Sequence, residues 1–330
     1  MKAIVHYGKT GYEGLAYTDY PEPVLKAQEV KIRLKTAGLN HRDLFVLVRH
    51  QPDAPPIVIG SDGAGIIEEI GEGVTSFQKG DEVVVIPSLG WEKNTPAPPE
   101  GFEILGLPDD GTFAEFIVLP ELNVAKKPAH LSWEEAGVLS LGAVTAYRAL
   151  FTKGQIQEGD TVFIPGIGSG VAILLLKMAK AVGARVIVTS RYETKRQKAL
   201  ELGADLVLSS QEDWVEALKN ETIDLVIDSV GAATFQKSLN VLKKGGRIVI
   251  FGASAGDSVD FNLRDFFYGQ YQLLGSTMGS IEEFHDMLEF ISKHDIAPMV
   301  DTTYPLEACV EAMRRLEEGE QFGKIAFTVS

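Results

Sequence analysis

Four consecutive polar residues, Asn40, His41, Arg42 and Asp43, interrupt the stretch "AGLNHRDLF" at the end of the alternating run "EVKIRLKTA". So dense a cluster admits metal ligation, acid–base work, or a solvated turn that does no chemistry. A carboxamide such as Asn40 donates and accepts without titrating. An imidazole such as His41 exchanges protons near neutrality. A second constellation lies in "TVFIPGIGSGVAILLL", where Gly166, Gly168 and Gly170 separate two apolar runs. Glycine there permits a tight turn and lets backbone N–H groups approach a pyrophosphate, which the start of a following helix favours electrostatically. With Ile167, Ser169 and Val171, the turn reads as a phosphate cradle in the spacing G-x-G-x-G, not G-x-G-x-x-G.

The next apolar run ends "VTSR". In an NAD site an Asp or Glu at that point accepts hydrogen bonds from the ribose 2′-hydroxyl. This chain has Ser190, with Arg191 beside it and Lys195 and Arg196 one turn on. A missing carboxylate and several cations suit a 2′-phosphate, so NADPH/NADP is the expected cofactor. A third candidate is "GASAG", which fits the nucleophile elbow of serine hydrolases with Ser254 at its centre. The polar, aperiodic "DSVDFNLRD" that follows is not the apolar helix an elbow needs.

The elements that must position these groups fall into two textures. Up to about residue 125 the chain reads as β: Val30, Ile32 and Leu34 alternate with Lys31, Arg33 and Lys35, and "GAGIIEEIG" and "GDEVVVIP" are further short strands. Residues 91–111, rich in Pro and Gly, read as a lid or flap shaping a pocket. Beyond 125, "TVFIP", "RVIVT", "DLVLS", "DLVIDSV" and "GRIVIFG" are apolar on both faces and alternate with helical stretches, the pattern of a doubly wound parallel sheet. The final strand "KIAFTVS" is expected to return to the first domain. Cys309, Met178, Trp133 and Trp214 read as packing and helix-start residues.

Bulk composition narrows the function classes. With 330 residues, 45% hydrophobic and 23% charged, the chain is long enough for two globular domains. A net charge of −15 argues against nucleic acid and anionic membrane surfaces. No apolar run approaches the ~20 residues of a spanning helix, and "MKAIVHYGKTG" has no signal-peptide core, so a cytoplasmic protein is expected. A single cysteine excludes an internal disulfide and a multi-thiolate zinc site.

In order along the chain, "AGLNHRD", "GSDGAGIIEEIGEGVTSFQKGDEV", "GTFAEFIVLP", "LSLGAVTAYRAL", the glycine turn, "DLVIDSVG", "GGRIVIFGA" and "FGKIAF" resemble the medium-chain dehydrogenase/reductase superfamily over essentially its whole length. The resemblance implies an α/β protein: a GroES-like β-rich catalytic and substrate domain, residues 1–124 and 280–330, and a Rossmann NADP(H)-binding domain, residues 125–279. It also implies homodimers, here around "YQLLGSTMG". Zinc-dependent members place Cys where this chain has Asn40, His where it has Ser61, and Cys where it has Leu141, so no zinc is expected. In the zinc-free quinone oxidoreductase-like branch, the residues matching Asn40 and Phe45 lie near the nicotinamide. Thr145 and Lys324 match positions beside its nicotinamide half, and Ser229, Val230, Phe251, Gly252 and Ala253 sit at strand ends where doubly wound folds bind ligand. His41 is the candidate proton donor.

Without a Lewis acid, favoured hydride acceptors delocalise their own charge. The expected activity is NADPH-dependent reduction of a quinone or α,β-unsaturated carbonyl, a small-molecule substrate. The alternatives are a zinc-free alcohol/aldehyde reductase, an NADPH-binding protein without turnover, and, last, a serine hydrolase.

Overall fold

The structure is a computed structural model, described for residues 1–329. The chain forms two compact units, Met1–Val144 with Gly279–Ser330, and Thr145–Met278.

The first unit is organised by the strand Glu29–Leu39. Val30, Ile32 and Leu34 are buried while Arg33 is exposed, so alternation in sequence becomes two faces of a pleat. This strand pairs antiparallel with Asp62–Ile70 and with Lys324–Thr328, and along its first half with Phe116–Pro120. The sheet continues through Glu82–Val85 to Val124–Lys126 on one side and to Val300–Pro305 on the other. The last strand thus returns to the first sheet. Its core gathers Ile32, Leu34, Leu39, Phe113, Met313 and Phe327, and Phe113 meets Phe327 edge to face at 4.9 Å. Each such fully buried side chain contributes about 1.5–3 kcal/mol.

Three expectations change here. The polar cluster is neither a bare strand end nor a solvated turn: His41–Arg49 is a helix with Asn40 as its N-cap, burying Asp43, Val46 and Leu47. Residues 125–144, which the change of texture assigned to the nucleotide domain, pack with the first unit. The reason is that Val124–Lys126 pairs with Val83–Val85, and Ser132 caps the helix Trp133–Gly137, whose opening residue accepts the Thr36 hydroxyl on its carbonyl. Finally, the 91–111 loop is no flap. Trp91 is fully buried, packs edge to face on Phe102, and its carbonyl accepts the Ile281 N–H. The strands Ser88–Leu89 and Glu103–Ile104 close the loop's base.

The second unit is a six-stranded parallel sheet. Its order is Leu206–Ser209, Arg185–Ser190, Thr161–Ile164, Ile223–Asp228, Leu242–Ile250, Gln272–Gly275. Thr161–Ile164 is the strand from which the chain winds first one way and then the other, the switch point of a doubly wound fold. All four of its residues are buried, as a strand covered on both faces requires. The helix Gly170–Val182 follows, capped by Ser169, whose hydroxyl accepts the Ala172 N–H at 3.2 Å. It ends at Gly183 in the left-handed region. Phe163, Ile187, Trp214, Val226, Phe235 and Ile248 form this unit's core.

Candidate functional site

Strand register levels three functional groups at one end of the first sheet. Gly38 stands opposite Asp62, and Leu39 opposite Ile325. Asn40, Asp62 and Lys324 therefore leave three neighbouring strands side by side. Asn40 Nδ2 donates to Asp62 Oδ2 at 3.0 Å. Lys324 Nζ donates to Asn40 Oδ1 at 2.5 Å and to Asp62 Oδ2 at 3.2 Å. Asp62 Oδ1 accepts the Leu141 N–H at 2.7 Å. The orientation of the Asn40 amide follows from this network, because flipping it would set its NH2 against an ammonium and its oxygen against a carboxylate. Asp62 is wholly buried, and Asn40 and Lys324 are nearly so.

The residues beside Asn40 divide into braces and a surface group. Asp43 Oδ2 accepts the Asn40 N–H at 2.8 Å, tying the helix start to the strand end. Burial pushes its carboxyl up to about 6, and its other oxygen has no hydrogen-bond partner. Arg42 donates to Ser61 Oγ at 2.6 Å and to the Leu105 carbonyl at 2.7 Å, and burial draws its guanidinium below its ordinary value. Arg42 and Asp43 are thus bracing residues. His41 is exposed on the unit's surface. Desolvation, then the Lys324 ammonium, lowers its pKa from 6.5, so its ring is mostly neutral at neutral pH. Phe45, half exposed one turn on, lies 5.5 Å under the Arg49 guanidinium.

The zinc positions of the resemblance hold groups that do not fit the metal. The Asn40 oxygen is engaged by Lys324. Ser61 donates to the Leu105 carbonyl at 2.7 Å while accepting from Arg42. Leu141 brings only hydrocarbon. Among the described residues no group of three or more His, Cys, Asp or Glu could hold a metal ion. A tetrahedral zinc needs soft or imidazole donors converging on one point, and an ammonium stands among the groups here.

The second unit holds the glycine cradle. Gly166 (φ +79°) and Gly168 (φ +137°) adopt conformations that side chains resist. A Cβ on Gly166 would lie 2.9 Å from Val230 Cγ2, and one on Gly168 3.1 Å from Lys195 Cδ. The turn is anchored to the next strand: Gly166 N–H donates to Thr189 Oγ1 at 3.1 Å, and Ile167 N–H to the Thr189 carbonyl at 2.7 Å. The opening turn of Gly170–Val182, including Val171, has N–H groups without intrahelical partners, which suits a phosphate. Asp228 Oδ1 accepts the Val230 and Gly231 N–H groups at 2.7 and 3.1 Å, shaping the strand end that carries Ser229 and Val230. Phe251, Gly252 and Ala253 follow the neighbouring strand, and the next residue's N–H donates to the Ser229 carbonyl. Val230 thus lies against the glycine turn and the 251–254 segment against Ser229, and these residues fit a dinucleotide.

The three cations after this unit's second strand differ in what they touch. Arg196 donates to the Ser190 carbonyl at 2.8 Å and pairs with Glu193. Arg191 is exposed beside Tyr192, and the Lys195 stem runs past Gly168. Ser190 is buried, and its hydroxyl accepts the Tyr192 N–H. Thr145, also buried, opens this unit. Ser254 Oγ donates to the Ser229 carbonyl at 3.3 Å, and the nearest following helix starts only at Leu263. No hydrolase elbow forms. Sequence reasoning passed over Asp62 as the centre of its cluster and Thr189 as the anchor of the cradle. The one signal was an acid at the start of the run "DGAGII", whose other residues are apolar or small.

An alcohol dehydrogenase GroES-like domain model matches residues 26–129, and a zinc-binding dehydrogenase model residues 170–293. A zinc-type alcohol dehydrogenase-like protein of Schizosaccharomyces pombe is 33% identical, over 100% of this chain and 99% of its own. An acryloyl-coenzyme A reductase of Sulfurisphaera tokodaii is 32% identical, over 98% and 99%. Among solved structures, one described as an NAD-dependent alcohol dehydrogenase superposes with a TM-score of 0.93 at 38% identity, covering 100% of both chains.

Proposed function

The chain belongs to the medium-chain dehydrogenase/reductase superfamily, and we propose that it is a zinc-independent, NADPH-dependent reductase of the quinone oxidoreductase-like branch. Its acceptor is a quinone or an α,β-unsaturated carbonyl. The observation that carries the reading is the Asn40–Asp62–Lys324 network, which ties up Asn40, one of the three positions (with Ser61 and Leu141) where the resemblance places metal donors in zinc-dependent members.

Reduced nicotinamide supplies a hydride when bound. The protein's task is to hold the acceptor and to tolerate the charge that arrives with the hydride. An enone or quinone spreads that charge onto oxygen, so a few oriented donors suffice. Asn40 is fixed by three partners and cannot drift, and His41 fronts the same helix start as a neutral ring able to pass a proton. Phe45 and Thr145 each match, by the family resemblance, a position near the nicotinamide half. Ser229, Val230, Phe251, Gly252 and Ala253 support the dinucleotide beside the glycine turn. The acryloyl-coenzyme A reductase relative, named for an α,β-unsaturated thioester, supports an acceptor of this class.

NADPH is preferred because the strand ending at Ser190 presents no carboxylate to a ribose hydroxyl, while Arg191 and Lys195 offer cations for a 2′-phosphate. The unit Met1–Val144 with Gly279–Ser330 is the catalytic domain, and Thr145–Met278 the cofactor domain. The Gln272–Gly275 edge strand, with Leu273 exposed and Leu263, Phe267 and Tyr268 more so, is the homodimer surface in a cytoplasmic enzyme. No helix among the described residues is long and apolar enough to cross a membrane.

The test is a panel. NADPH consumption is expected with quinones or enones, NADPH should bind more tightly than NADH, and added zinc should not awaken ethanol oxidation. Equal or tighter NADH binding ends the cofactor assignment. Stoichiometric zinc in chelator-free protein ends the metal assignment. The alcohol dehydrogenase relatives favour a second reading, a zinc-free alcohol or aldehyde reductase, which the same panel separates by its response to simple aldehydes.

A further inference from the structure

Lys324 brings a buried cation to the site. It opens the strand Lys324–Thr328, and its backbone N–H is bound to the Met299 carbonyl at 2.8 Å. Its side chain is 6% exposed and its partner Asp62 is 0% exposed. Taking an ammonium out of water costs several kcal/mol unless a counter-charge and hydrogen bonds offset it. Asp62 and Asn40 provide both. An ammonium carries three N–H donors. Two go to Asn40 Oδ1 and Asp62 Oδ2, and the third has no partner among the described residues. A purely structural brace at this strand end would need no charge, and a buried cation with one donor unspent is poised for an incoming acceptor atom.

We infer that the Lys324 ammonium is the electrophilic cation of this enzyme, donating its third N–H to the acceptor's carbonyl oxygen where a zinc ion acts in metal-dependent relatives. The inference rests on the metal-free reading of the site. With an enone, the hydride and its electron pair leave the reduced nicotinamide and form a C–H bond at the β-carbon. The C=C π bond breaks, its electrons become the enolate C=C, and the former C=O π pair moves onto oxygen. The nicotinamide is oxidised and the acceptor is reduced by two electrons. The enolate oxygen, held by the Lys324 N–H, then takes that proton, and Lys324 regains one from water. The resulting enol returns to the ketone by taking a proton at carbon and losing one from oxygen. Asn40 and Asp62 act as positioning residues: each aims the ammonium by a side-chain oxygen.

The experiment compares Lys324→Met, Lys324→Gln and Lys324→Arg with the wild-type protein. For Met and Gln, kcat with an enone is expected to fall 100- to 1,000-fold, the range seen when one oxyanion donor is removed. The NADPH dissociation constant, read by fluorescence titration, should change less than threefold. Arg should recover part of the loss. With a strongly electron-poor quinone, which tolerates its own charge, the Met variant should lose less than tenfold. Equal losses on both acceptors would mark a structural role and overturn the inference. So would an unchanged kcat, or a loss confined to NADPH affinity. Thermal melts identify any variant that fails to fold, and the Arg and Gln substitutions then carry the comparison. Cobalt(II) titration of the wild-type protein keeps the two readings apart. Stoichiometric tetrahedral absorption bands would sink the metal-free assignment, whereas no bands with an unaffected Met variant would sink the role of Lys324 alone.

Discussion

Replacing Asp43 with Asn removes a charge that the fold holds at a cost. The carboxyl is fully buried, and its pKa lies near 6 against an ordinary 3.8, chiefly because burial disfavours the ion. The native chain therefore binds this proton more readily than the unfolded chain. Its ionisation opposes folding: the penalty is absent below pH 3.8, grows as pH rises, and is complete above about pH 6. At 1.36 kcal/mol for each tenfold change, the full penalty is about 3 kcal/mol. Linkage places about 1.4 kcal/mol of it between pH 5 and pH 8. Asn keeps an acceptor for the Asn40 N–H but exchanges a charge-assisted bond for a neutral one, losing about 1 kcal/mol at every pH. The variant should therefore gain about 1.4 kcal/mol on the parent as pH rises from 5 to 8. Urea unfolding in a Trp214→Phe background reads this from Trp91 and Trp133, both in the first unit. A pH-independent difference, or one running the other way, refutes the reasoning, because it would mean that Asp43 ionises as easily inside the fold as in water.

Gly166→Ala forces a side chain to φ +79° and sets its Cβ 2.9 Å from Val230, so about 1–2 kcal/mol of stability and at least tenfold of NADPH affinity should go, checked by melting and titration. Arg191→Ala should weaken NADPH binding about 10-fold and leave NADH unchanged, since an exposed cation paired with a phosphate contributes about 1.4 kcal/mol. Asp62→Asn leaves Lys324 buried beside a neutral amide and should cost about 3–5 kcal/mol in chemical denaturation. His6 is held below its ordinary 6.5 by burial and then by the His50 ring. Acidification from pH 7.5 to 5.5 protonates the unfolded chain first and should destabilise the parent more than a His6→Gln variant.

Periodicity and glycine placement were enough to read the two textures of the chain, the doubly wound sheet and the tight glycine turn before its first helix. Those features are local: alternating burial along one strand and a turn of small residues between two apolar runs are written in neighbouring positions. The identity of the residues also carried the expectation of a zinc-free site, because a leucine and a serine cannot become thiolate or imidazole in any fold. Tertiary structure decided the rest. Asn40, Asp62 and Lys324 lie far apart in sequence and meet only because strand register sets Gly38 against Asp62 and Leu39 against Ile325. Arg196, read as a phosphate cation, is engaged by Glu193 and a carbonyl. The 91–111 loop, read as a lid or flap, is pinned by a buried tryptophan. Pairings between distant strands depend on how the whole core packs, and no local pattern records which lysine will share a carboxylate with which asparagine.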